Sequence, residues 1–358
     1  MKRSLIALSC LLFSLTSMNA AFAEDSGGRP KIGIALGGGG TRGAAHIGVL
    51  RVLEREGIKP DIIVGNSMGS IIGSLYCAGV PLDKIEQLVV DGRLRKAYAP
   101  LPVPLQLIKK AGGKLMVFRK KRQPGFYDGQ GLADFINENV PEDKRKIENL
   151  SPTFAAVVTN LLDGKAYRLT KGDLGQAVRA SATLPPILRA VEIDGNLYAD
   201  GGIRANMPTY PARAMGADIL IAVDVNEPLK KLKPKDLMNF GKTSNRMTSI
   251  VLACADELHL KIADYIINPK VAGISLLSKK EEDFKLAISE GEKAAQEMAP
   301  QIKSKLASMG VHPQAISQKP GAEESELSVD TKVEAVERAE KNVESVQKST
   351  ETTEKVDE

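Results

Sequence analysis

The sequence predicts an α/β protein built on a mainly parallel sheet with helices on both faces. Short strand patterns rich in Val, Ile and Leu alternate with helical periodicities along the centre of the chain. Two of these strands run straight into glycine-rich turns that open helices, as strand–turn–helix units of such a sheet do. The 358 residues are 43% hydrophobic and 26% charged, a balance that supplies a sizeable core and excludes wholesale disorder.

Taken in order, residues 1–23 read as a secretory signal. Lys2 and Arg3 precede an apolar run from Leu5 to Leu15, and Ala21-Phe22-Ala23 has the form of a signal-peptidase site. The run is too short to span a bilayer as a stable helix, so the mature protein is expected to be exported, to the periplasm or beyond. Lys31–Leu36 is the first strand, and Ala44–Arg55 carries Ile47, Val49, Leu50, Val52 and Leu53 at helical spacing. Asp61–Val64 is a second strand and Ser67–Ala78 a second helix. Further strands are expected near Phe154–Val158, Tyr167–Leu169, Val191–Tyr198 and Ile219–Val223, with Gly195-Asn196 as a hairpin turn. Further helices are expected at Leu132–Asn139, Leu174–Ala182, Thr243–Ile267 and Lys285–Leu306. One domain over residues 24–311 accounts for all of these. From His312 onward there are 12 acidic and 6 basic residues and no aromatic, which reads as a charged flexible tail. Val329, Val333, Val336 and Val343 give it a narrow helical stripe.

Composition narrows the function. A formal net charge of +5, no Trp and only 4% aromatic residues argue against nucleic acid as a partner. Cys10, Cys77 and Cys254 make neither a disulfide framework nor a zinc pattern; Cys77 and Cys254 are the one pair available to a mature chain.

Chemistry concentrates at two turns. Gly37-Gly38-Gly39-Gly40-Thr41-Arg42-Gly43 follows a strand and opens a helix, and Gly38, Gly40 and Gly43 satisfy the dinucleotide fingerprint. That fingerprint also wants an acid at the far end of the next strand, whereas here the strand ends at Gly65-Asn66 and Asp61 stands at its beginning. A Walker loop fails because Ala44 and Ala45 follow Gly43. Glycine N–H groups at a helix start can equally stabilise a reaction oxyanion. The second turn, Gly65-Asn66-Ser67-Met68-Gly69, is a GxSxG between an apolar strand and an apolar helix, the setting of a nucleophile elbow. A serine nucleophile needs a base. His46 falls inside the first helix and His312 at the start of the tail; His259 follows Ser67 and the acids in the order of α/β-hydrolases but falls inside a long helical run. Asp200-Gly201-Gly202, at the end of a hairpin strand, offers a carboxylate instead.

Jointly, Gly38-Gly39-Gly40-Thr41-Arg42-Gly43, Gly65-Asn66-Ser67-Met68-Gly69, Ala180-Ser181-Ala182-Thr183-Leu184-Pro185 and Asp200-Gly201-Gly202 resemble the four ordered blocks of bacterial patatin-like phospholipases, over about residues 30–225. The resemblance implies a three-layer α/β/α fold with Ser67 as nucleophile and Asp200 as general base. It places the oxyanion hole at Gly38, Gly39 and Gly40, with Arg42 adding positive potential, and implies neither metal nor organic cofactor. The expected function is therefore exported hydrolysis of acyl esters in lipids or phospholipids. A carboxylesterase with a Ser-His-Asp triad, and a nucleotide- or lipid-binding protein without catalysis, are the alternatives. A run of seven cations without an acid spans residues 109–122 and encloses Leu115, Met116, Val117 and Phe118. It reads as a peripheral contact with anionic membrane surface.

Overall fold

The computed structural model describes residues 29–98, 127–184, 188–226, 229, 231–238 and 240–314. The expected signal at 1–23, the basic segment at 109–122, Pro185 of the third motif block and the valine stripe of the tail lie outside these residues.

Among the described residues eight strands form one sheet: β1 (Ile32–Leu36), β2 (Ile62–Gly65), β3 (Thr153–Asn160), β4 (Ala166–Leu169), β5 (Val191–Ile193), β6 (Asn196–Asp200), β7 (Ile219–Val223) and β8 (Tyr265–Ile267). Their order is β5-β6-β3-β2-β1-β7-β8, with β4 paired to β3 beside that path. The pairs β1–β2, β1–β7, β2–β3 and β7–β8 are parallel; β3–β4, β3–β6 and β5–β6 are antiparallel.

Strand alternation sorts the core into two sheet faces. Ile32, Ile34, Leu36, Ile63, Phe154, Ile219 and Ile221 point to one face. There they meet helices α1 (Ala45–Arg55), α2 (Met68–Cys77) and α3 (Leu82–Val90). The short α4 (Arg93–Tyr98), α5 (Gln130–Glu138) and α6 (Leu174–Ser181) add to that side through Leu94, Leu132 and Val178. Ala35, Val64, Ala155, Val157, Leu220 and Ala222 point to the opposite face, towards Ala205 of the short α7 (Gly202–Ala205) and Ala212 of α8 (Thr209–Ala214). This is the three-layer α/β/α arrangement. The second face is lined largely by alanine, which lets its helices approach closely. Helix α9 (Phe240–Leu260) packs against α7 on that side.

The last described helix is α10 (Glu281–Ser308), laid along α1 on the first face. Two glycines set that contact. A Cβ on Gly48 would stand 2.1 Å from the Ile288 carbonyl oxygen, and one on Gly291 would stand 2.1 Å from that of Ala45. The described chain remains packed to its end, where the Gln314 carbonyl lies against Gly57.

The structure corrects two expected boundaries. The hairpin turn is Asp194-Gly195, not Gly195-Asn196: both carry positive φ, 48° and 73°, and Ile193 pairs with Asn196. That is the turn whose twist matches the flanking strands. The helix expected over Thr243–Ile267 ends at Leu260, and Tyr265–Ile267 is a parallel strand. Asp264 makes the break: its N–H donates to the Leu220 carbonyl and its Oδ2 accepts from Leu220 N–H at 2.7 Å, pinning the chain to β7. Cys77 is buried and Cys254 exposed, and both are free thiols.

Gly291→Ala is expected to force α10 off α1. Overpacking of this kind costs about 1–3 kcal/mol. It should appear as a lower urea midpoint with an unchanged slope.

Candidate functional site

The site is assembled on one edge of β3. Ala156 pairs with Gly65 of β2 on one side and with Leu169 of β4 on the other. Two residues on, Val158 pairs with Tyr167 of β4 and with Asp200 of β6. β2 and β6 therefore share the same edge of β3 and meet end to end. Ser67 follows the end of β2, and Asp200 is the last residue of β6.

Ser67 sits at the start of α2 with φ 50° and ψ −119°, one of two described non-glycine residues with positive φ. Such a backbone is strained and persists only where its surroundings fix it. Here they do. Ser67 N–H donates to Ser181 Oγ at 3.2 Å, and the Ser67 carbonyl accepts from the Ser70 hydroxyl at 2.7 Å. Gly69 must lack a side chain, because a Cβ would stand 2.2 Å from the Leu36 carbonyl oxygen; at Gly65 the obstacle is the Gly69 carbonyl, 2.4 Å away. The strained turn thus lies directly against the end of β1, with the positive end of the α2 dipole behind the serine.

Asp200 is buried. Its backbone N–H donates to the Thr183 carbonyl at 2.8 Å, and its Oδ1 accepts from Gly202 N–H at 2.8 Å. Burial pushes its carboxyl up to about 6; Gly202 N–H, the Ser67 hydroxyl and the Asn66 side chain each pull the other way. The block around Ala180–Thr183 now has a structural role: Ser181 fixes the backbone of Ser67, and Thr183 fixes that of Asp200.

The glycine loop lies beside this pair. A Cβ on Gly38 would be 3.2 Å from Ser67 Cβ. Gly38 N–H already points to the Asn206 carbonyl at 3.3 Å, whereas among the described residues the N–H groups of Gly39 and Gly40 have no hydrogen-bond partner. His46 is buried and donates Nε2–H to the Gly37 carbonyl at 2.7 Å; burial lowers its pKa to about 4, so it is neutral at ordinary pH. Arg42 is also buried, and its Nε donates to the Ile274 carbonyl at 2.7 Å. Thr41 N–H donates to the Leu276 carbonyl at 2.9 Å. Arg42 and Thr41 thereby brace the loop against the segment before α10.

Three residues of the site carry no motif in the sequence. Asn206 Nδ2 donates to Asp256 Oδ2 at 2.8 Å, and Asn206 Oδ1 accepts from Asn66 Nδ2 at 3.1 Å. Asp256, on the inner face of α9, also accepts from Met207 N–H at 2.6 Å and Asn226 Nδ2 at 2.8 Å. A carboxylate only accepts, so it fixes which end of the Asn206 amide faces Asn66. Asn66 is wedged between Gly38 and Gly201 beside Ser67, with its Oδ1 buried and unpartnered. The third residue is Tyr98 at the end of α4. Its hydroxyl donates to the Ala182 carbonyl at 3.0 Å, and burial together with the negative field of Asp200 pushes its pKa well up. His259 stands elsewhere: its ring meets Tyr210 edge to face at 4.9 Å, and burial lowers its pKa against the Met207 carbonyl.

Comparison with known proteins places the chain in a family. The patatin-like phospholipase family model matches residues 34–213, half of the chain. The NTE family protein Rv1063c of Mycobacterium tuberculosis is 32% identical over 207 residues, 58% of this chain and 52% of that one. Patatin-like phospholipase domain-containing protein 7 of Mus musculus is 33% identical over 215 residues, 59% of this chain and 14% of that one. Lysophospholipase NTE1 of Mycosarcoma maydis is 30% identical over 194 residues, 54% of this chain and 10% of that one. The matched region thus spans about half the length of the mycobacterial relative and far less of the others. Among solved structures, VipD of Legionella pneumophila aligns at TM-score 0.44 and 15% identity, covering 76% of this chain and 67% of that one. Human GIVD cytosolic phospholipase A2 aligns at TM-score 0.39 and 11% identity, covering 78% and 59%.

Two outcomes follow from the buried carboxylates. A carboxylate whose folded pKa is raised costs stability above that pKa and relieves the cost as pH falls towards the unfolded value. Asp200→Asn should therefore raise the melting temperature at pH 8, where the buried charge costs up to about 3 kcal/mol, and change it little at pH 4. Asp256→Ala leaves three N–H donors without an acceptor, at about 1–3 kcal/mol for each one that stays buried. It should lower the melting temperature and turnover together, whereas Asp256→Asn, which keeps one acceptor oxygen, should recover part of both.

Proposed function

Because this chain belongs to the patatin-like phospholipase family, we propose that it is a serine hydrolase of lipid acyl esters working through Ser67 and Asp200. The observation that carries this reading is the strained Ser67 placed end to end with a buried carboxylate whose pKa is pushed up to about 6. A base with that pKa is ionised at neutral pH yet basic enough to take a hydroxyl proton in the transition state. Ser67 Oγ attacks the ester carbonyl as Asp200 accepts its proton. The oxyanion forms against the N–H groups of Gly39 and Gly40. Gly38 joins them only if its long bond to Asn206 yields. Asp200 then returns the proton to the leaving alcohol, and water repeats the cycle on the acyl-enzyme. His259 has no part in these steps.

Exposed apolar side chains lie next to the site in sequence. Leu184 follows Thr183, Ile203 comes three residues after Asp200, and Leu277 follows Leu276, which holds the glycine loop. They suit a substrate with long acyl chains better than a small soluble ester. The reading extends to an exported protein acting on membrane lipids, with the basic segment 109–122 meeting anionic headgroups.

Ser67→Ala should abolish ester hydrolysis and labelling by a fluorophosphonate while leaving the fold intact. Asp200→Asn should cost at least ~10²-fold in turnover, the lower end of general-base contributions. The activity of the wild type should fall as pH drops through about 6, where Asp200 takes up its proton. His259→Ala should keep most of the activity; a loss as deep as that of Ser67→Ala, at unchanged melting temperature, would instead make histidine the base.

A further inference from the structure

Helix α9 has two faces of opposite character. At about 100° per residue, Met247, Ile250, Val251, Cys254 and Leu258 fall within an arc of about 100°, and Asp256 lies about 180° from Met247. Asp256 is the buried anchor of the Asn206 amide. The opposite stripe faces solvent: Met247 is 63% exposed, Val251 57%, Leu258 64% and Ile250 41%. Such a stripe on a helix of this length is the reverse of what a water-facing surface carries. The segment leading into the helix continues it. Leu229, Leu232, Leu237 and Met238 are exposed, and exposed Lys231, Lys233 and Lys235 are interleaved with them. Asp236 is the one acid in the segment 229–238, and its Oδ2 accepts from the Lys233 backbone N–H at 2.9 Å.

From this distribution we infer that the exposed leucines, methionine and lysines of the segment leading into α9, together with the exposed stripe of α9, form a docking face for an anionic lipid bilayer, with the α9 stripe dipping into the interface and the lysines on the headgroups. Charge favours this occupant. A second copy would bring the same lysines face to face, whereas an anionic surface neutralises them. Position favours it as well. The inner face of α9 holds the amide network behind the glycine loop, and α7, which packs on α9, carries exposed Ile203 three residues from Asp200. Docking there would bring the lipid surface up to the edge of the site. The inference rests on the lipid reading for its biological sense, but the binding it asserts can be measured without catalysis.

The test uses the mature chain with Met247, Val251 and Leu258 all changed to Ser, and separately with Lys231, Lys233 and Lys235 changed to Gln. Partition is measured by co-sedimentation with vesicles of phosphatidylcholine alone and with equal parts of phosphatidylglycerol. A short soluble ester is assayed alongside. The serine variant should lose at least tenfold in partition to the mixed vesicles while its ester hydrolysis stays within twofold of wild type. The glutamine variant should lose the preference for phosphatidylglycerol and respond less to added salt. Unchanged partition of both variants would overturn the docking face. So would a wild-type dimer in light scattering that the serine variant dissociates while vesicle binding persists. Failure of the wild type to hydrolyse any ester, with vesicle binding lost in the variants, would sink the catalytic reading and leave the docking face standing.

Discussion

Strand β3 offers eight residues of edge, and two strands running in opposite directions divide one side of it between them. β2 takes the first half in parallel and β6 the second half antiparallel, so their ends abut. Everything at the site depends on that junction. A parallel strand presents its carboxyl end to the loops where ligands gather in open α/β sheets. An antiparallel strand arriving on the same edge delivers its own carboxyl end to the same point. The proposed nucleophile comes from a strand–turn–helix unit and the proposed base from a hairpin far along the chain, yet register brings them together. Neither needs a long loop to reach the other, and both are held by backbone hydrogen bonds, to Ser181 and Thr183.

Around this junction the protein keeps an unusual amount of polar chemistry out of water. Asn66, Asn206, Asp256 and Asp200 are all buried. Buried polar groups of this kind add little net stability and are costly when one partner is removed. Their return is orientation, since a ring of fixed donors and acceptors holds the Gly38 loop, the serine turn and the Gly201–Gly202 turn in a single arrangement. The raised pKa of Asp200 has the same origin. The site withholds enough solvent from the carboxylate to make it a better base, and the fold carries the cost.

Much of this was legible in the sequence. The strands β1, β2, β3 and β7 show as short β-branched runs, and the serine turn shows because glycine is the only residue that fits where Gly69 meets Leu36. Steric necessity of that sort leaves a mark in sequence. Asp256 and Asn206 left none: each is one polar residue in an amphipathic stretch, 50 positions apart, and only the packing of α9 on α7 makes them partners. Tyr98 is hidden for the same reason. The run of apolar residues at Tyr265–Ile267 continues a helical periodicity, and the bonds between Asp264 and Leu220 that turn it into a strand are long-range. The turn falls at Asp194-Gly195, although Gly195-Asn196 is an equally good pair locally; cross-strand register decides between them. The role of Arg42 likewise depends on a carbonyl 232 positions away.

The brace on the glycine loop sets an order of events in the life of the chain. All four motif blocks are complete by Gly202, but the carbonyls that hold Thr41 and Arg42 belong to Leu276 and Ile274. β1, the first strand to be made, has β7 as one of its two neighbours, so the sheet itself stays open until residue 223 has been added. Contacts that span most of the chain form slowly, after many local ones. A growing or truncated polypeptide that stops before Ile274 therefore contains every residue proposed for catalysis and lacks the frame that shapes the loop beside Ser67. The loop beside Ser67 is therefore braced only once the last quarter of the domain has been added.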